Sequence, residues 1–123
     1  MARNQYLSNV FLYGSNEDKG YPIDTVTVTM QAGMKSGSVL EVVGGKGVWV
    51  VAANAANAVY VLADERADTQ DGLAAGDHTL KVVARAAGVG RNYLNYADAL
   101  DAGQLTAVET ALLAVGIKVE TQY

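Results

Sequence analysis

The sequence predicts an α+β fold: a single compact mixed-sheet domain over residues 37–123 with one main C-terminal helix, preceded by an extended N-terminal arm over residues 1–36. Three observations predict it. Short Val-, Leu- and Thr-rich segments, alternating or continuously apolar, lie between glycine and polar turns. One stretch, Ala102 to Val115, instead carries apolar residues at helical spacing. Composition also changes near Gly37: residues 1–36 hold the only Pro (Pro22) and the only Phe (Phe11), whereas the chain from Ser38 onward is rich in Val and Ala.

The arm contains a turn-rich stretch, Gly14 to Gly20, and one clean strand pattern. Thr25 to Met30 alternates strictly, which puts Val26, Val28 and Met30 on one face and three threonines on the other. Tyr6 to Tyr13 is apolar enough to need a partner but has no clean period. Ser38–Val43 and Val48–Val51 flank Gly44-Gly45-Lys46-Gly47, the pattern of a β-hairpin whose glycines allow positive φ. Ala52 to Asn57 reads as a small-residue connector, Ala58 to Ala63 as a buried strand, and Asp64 to Gly72 as an exposed acidic loop. His78 to Arg85 alternates again, with Leu80, Val82 and Ala84 facing in.

The helix is the clearest element. Asp101 is positioned as its N-cap, and Leu105, Val108, Leu112 and Val115 form one apolar stripe. Gly116 follows where a C-terminal glycine belongs, and Ile117 to Glu120 alternates as a short last strand. The count expected is five to seven strands.

Composition narrows the function. The 123 residues are 50% hydrophobic and 18% charged, with a formal net charge of −4, which disfavours nucleic-acid partners because phosphate binding needs a basic footprint. Without cysteine there is no disulfide scaffold and no thiolate metal site, and with a single His a zinc site is close to excluded. The first residues hold no apolar core of signal-peptide length, and no apolar run approaches a membrane span, so no membrane partner is expected.

The candidate chemistry is thin. Gly44-Gly45-Lys46-Gly47 lacks the Ser or Thr and the helix that a phosphate-cradling loop requires. Gly88-Val89-Gly90 lacks the third glycine of a dinucleotide fingerprint. Asp77-His78 offers a carboxylate and a base, but Ser36 and Ser38 lie well upstream, and an Asp-His pair at a strand start reads as a turn and strand edge. The acids between Asp64 and Asp77 do not follow the alternate-residue spacing of a calcium loop, and no carboxylate pair stands out for glycoside hydrolysis. Trp49 reads as a core or interface residue. No enzyme, cofactor or metal is expected.

What remains is an interaction problem. Ordering an arm costs backbone entropy that its apolar side chains alone do not return. Either the arm folds back on its own domain or it adds strands to a partner.

The chain from about residue 36 to 119 resembles the lambda-type head decoration (capsid cement) proteins of tailed bacteriophages. The resemblance is carried by an ordered series: Gly37 to Glu41, the Ala-rich connector leading into Asn57 to Glu65, Leu80 to Arg85 followed by Gly88 to Tyr96, then Leu105 to Leu113, and Gly116 to Val119. It implies a homotrimer on the outer surface of the virion capsid, at threefold or quasi-threefold positions, reinforcing the expanded shell by clamping adjacent major capsid proteins. It implies no catalytic residues. The arm here is richer in apolar and β-branched residues than the Pro/Ser/Thr-rich lambda arm. Tyr6, Leu7, Phe11, Leu12, Tyr13, Val26, Val28 and Met30 are the expected capsid contacts, and Trp49, Tyr93 and Tyr96 are candidates for the subunit interface. Rival readings are another virion component (tail tube or head-fibre base), a carbohydrate-binding module, or a small hydrolase using Asp77 and His78.

Overall fold

The computed structural model describes residues 11–14, 23–68, 73–85 and 87–120. In chain order its strands are β1 (Phe11–Gly14), β2 (Ile23–Met30), β3 (Val39–Val43), β4 (Lys46–Trp49), β5 (Tyr60–Leu62), β6 (Gly76–Val83), β7 (Ala87–Gly90) and β8 (Ile117–Glu120), with one helix, α1 (Ala102–Ala114), before β8. Strands β2-β4-β3-β5-β6 close into a small barrel, and β1-β7-β8 form a separate three-stranded sheet. No described helix is long and apolar enough to cross a membrane.

The barrel is built mainly from antiparallel pairs. β2 and β6 run beside each other from Ile23↔Val83 to Met30↔Gly76, and β3 and β4 form the expected hairpin. Its turn is Gly44-Gly45, with φ of 60° and 80°, the positive pair that a two-residue hairpin requires. Closure comes from a parallel contact between β2 and β4 at Val28↔Gly47. A side chain at Gly47 would press on Leu40 and Val28, so a glycine lets these strands meet.

β2 corrects the expected boundary at residues 36/37. Its alternation is as read, but its apolar face fills the barrel: Val28 and Met30 are buried and Val26 packs beside them with Leu40, Leu62, Leu80 and Val82. A closed barrel removes its own edges, so β2 is a stave of the domain and not an arm. Val26, Val28 and Met30 are therefore withdrawn as capsid contacts. β1 pairs antiparallel with β7 of the same chain, at Phe11↔Val89 and Gly14↔Ala87, with a register shift between. The backbone of Phe11, Leu12 and Tyr13 thus folds back on its own domain. Tyr6 and Leu7 lie outside the described residues.

β7 is not expected from the sequence, where Gly88-Val89-Gly90 reads as an incomplete glycine motif. All four of its residues are buried, and β7-α1-β8 forms a parallel unit in which the helix carries the chain back from the end of one strand to the start of the next. Eight strands result among the described residues, one above the expected range. Ala52–Asn57 is a 3₁₀ turn packed against α1.

The helix begins as read, with a reciprocal cap: the Asp101 carboxylate accepts from the Gln104 N–H at 2.8 Å, and the Gln104 side chain accepts from the Asp101 N–H at 3.0 Å. Gly116 takes a φ of 90° and its N–H returns to the Leu113 carbonyl. The buried face differs from the expected stripe. Val108 and Leu112 enter the second core with Val89 and Ile117, flanked by Ala107 and Ala111, whereas Leu105 and Val115 stay exposed. Alanines on the packed face let α1 sit close to the 3₁₀ turn, which turns the larger flanking residues outward.

Candidate functional site

A hydrogen-bonded seam joins the barrel to the segment that follows β7. The Gly37 N–H donates to the Leu62 carbonyl at 2.8 Å, and the Gly37 carbonyl accepts from the Asn95 N–H at 2.9 Å. The Asn95 carbonyl then accepts from the Val39 N–H at 3.0 Å and from Trp49 Nε1 at 3.3 Å. Ser38, fully buried, donates its hydroxyl to Asn95 Oδ1 at 2.6 Å. One asparagine therefore satisfies polar groups from two barrel strands and the loop before them.

Trp49 and Tyr96 take core positions on either side of that seam. Trp49 packs against the barrel core, and Tyr96 is half-buried against the helix core. Burial, with Glu109 nearby, pushes the Tyr96 phenol up to about 12 against a smaller opposing effect of Arg91. Tyr93 is 42% exposed, the most accessible of these three aromatics.

The start of the expected exposed acidic loop is buried. Asp64 accepts from the Arg66 guanidinium at 2.7 and 3.0 Å, from the Arg66 N–H at 3.0 Å and from the Lys81 N–H at 3.1 Å. Burial alone would raise its pKa, but these bonds outweigh burial and hold the carboxyl at about 2. Ser36 donates to the Asp64 carbonyl, so the loop before β3 is tied down here as well. This is a structural knot, with its acceptor capacity already used.

The side chains of Asp77 and His78 are directed apart and have different partners. The two are successive residues of β6, so their side chains leave opposite faces of the strand. Asp77 is engaged by Thr29 Oγ1 at 2.8 Å and by Lys46, which hold its carboxyl below the ordinary range, while His78 Nε2 lies 2.7 Å from the Ala74 carbonyl. Among the described residues no three His, Asp or Glu side chains group as metal ligands.

The surface instead offers places to dock. At the tip of the β3-β4 hairpin Val42 and Val43 are 49% and 53% exposed, and on α1 Leu113 is 62% exposed. In the sequence Val42 and Val43 are only strand formers, because β-propensity does not say whether a side chain is covered. Both β1 and β8 are edge strands of the three-stranded sheet. Comparison with protein-family models, with curated proteins and with solved structures found no match.

Proposed function

We propose that this protein is a structural capsid decoration protein, which docks as a homotrimer on the outside of an expanded phage head and stabilises it by bridging adjacent major capsid proteins. The observation that carries the reading is the ordered series of segments by which residues 36–119 resemble the lambda-type decoration proteins. Two features of the fold support it. Among the described residues β1 is an edge strand, which suits pairing with a strand of a neighbour. The apolar hairpin tip, Val42 and Val43, offers a second contact on the barrel. Three copies acting together turn weak contacts into firm attachment through effective concentration.

The test is co-sedimentation with expanded and unexpanded empty capsids of the source phage. Full-length protein is compared with a form lacking residues 1–10; removing 1–36 would take β2 out of the barrel. Saturable binding to expanded shells that weakens without residues 1–10 supports the proposal. Absence of binding to either shell overturns it and directs attention to tail components.

A further inference from the structure

We infer that the free edge of β8 is a self-pairing surface, on which a second copy of the chain docks its own β8 antiparallel about a twofold axis centred on Val119. The inference does not depend on the capsid reading.

The backbone sets the possible registers. The Ala87 N–H donates to the Gly116 carbonyl, and β7 and β8 run parallel from Ala87↔Ile117 to Gly90↔Glu120. Peptide groups alternate sides along a strand, so the even-numbered residues of β8 bond to β7 and those of Ile117 and Val119 face away. Among the described residues no strand lies on that outer side. The Val119 carbonyl receives a long 3.4 Å contact from Arg91 Nη2 and keeps a second lone pair.

Side chains select one register. Pairing outward groups with outward groups puts the twofold axis at Ile117, Lys118, Val119 or Glu120, and an axis at Ile117 brings in Gly116, whose φ of 90° is not that of a strand. An axis at Lys118 sets two lysines opposite each other, and an axis at Glu120 sets two glutamates opposite each other, both repulsive. With the axis at Val119 the two valines exchange both backbone hydrogen bonds. Each Lys118 then lies opposite a Glu120 in the closer, non-hydrogen-bonded type of pair. The tetrapeptide Ile-Lys-Val-Glu is thus self-complementary in this register alone.

Lys118 is exposed, and Val119 and Leu113 line an open groove between α1 and β8 that the second copy would cover. An isologous contact of this kind doubles whatever assembly the other surfaces form.

The test is charge reversal in the full chain, read by light scattering after size-exclusion chromatography. Lys118→Glu should halve the mass of the wild-type assembly, Glu120→Lys should do the same, and the double swap Lys118→Glu/Glu120→Lys should restore it. Amide exchange separates loss of pairing from loss of fold. In wild type the Val119 amide should be protected; in Lys118→Glu it should exchange freely while the Lys118 and Glu120 positions, which face β7, keep their protection. Equal masses for all four proteins, a swap that fails to restore, or an unprotected Val119 amide in the wild-type assembly would each overturn the inference.

Discussion

A Cβ built on Gly37 would lie 1.8 Å from the carbonyl oxygen of Tyr93. The two backbones are in near contact at the seam between the barrel and the segment that follows β7, and Gly37 also holds a φ of 97°. Gly37→Ala must therefore move backbone as well as strain it. The expected cost is about 3–5 kcal/mol, combining overpacking with left-handed strain. Gly44→Ala provides the contrast: its φ is 60° but nothing lies within 4 Å, so only about 1 kcal/mol is expected. Urea unfolding followed by the single tryptophan, Trp49, measures both.

Asp64 makes stability pH-dependent. Its carboxyl titrates at about 2 in the fold against an ordinary 3.8. A depressed folded value means the stabilisation is complete above the unfolded pKa and is lost as pH falls through the folded one. About 2 kcal/mol should disappear between roughly pH 4 and pH 2. Asp64→Asn, which cannot ionise, should be less stable at pH 6 and should lose this part of the acid sensitivity. An unchanged acid slope in the variant would refute the assignment.

Neighbouring leucines on α1 should behave in opposite ways. Leu112 is fully buried and Leu113 is largely exposed. Leu112→Ala should cost about 2–5 kcal/mol through lost burial and an unfilled cavity, whereas Leu113→Ala should change stability by no more than about 0.5 kcal/mol. Equal effects would mean that the helix is rotated relative to the core.

Val28 distinguishes a barrel residue from a docking residue. Val28→Ala should lower stability by roughly 2 kcal/mol, because it opens space beside Leu40 and Gly47 in the barrel. Binding to expanded capsids, measured at a temperature where the variant is folded, should not change. A loss of binding with unchanged stability would return β2 to the arm.

Much of the local structure was legible along the chain because it is decided by neighbours in sequence. Asp101 with Gln104 starts the helix, Gly116 ends it, and Gly44-Gly45 closes a hairpin, each through bonds or φ values spanning a few residues. The alternation in β2 and β6 also survived folding, since each strand has one face in the barrel core. At Val83 the rule fails: this residue is buried on the opposite face from Leu80 and Val82, in the second core. A period-two reading assumes water on one side, and here the sheet and helix cover it.

By itself the sequence determined the mixed fold class, the helix and its caps, the hairpin, and which face of β2 is apolar. Only the tertiary structure decided what that face packs against. The same Val28 and Met30 pattern suits an arm on a partner or a stave in a barrel, and the choice depends on β6 and β4 arriving from distant parts of the chain. The tertiary fold also turned Leu105 outward, buried Asp64, and made a strand of Gly88-Val89-Gly90. The reason is common to all of these: periodicity records that a side chain needs cover, whereas burial depends on which distant segments supply it.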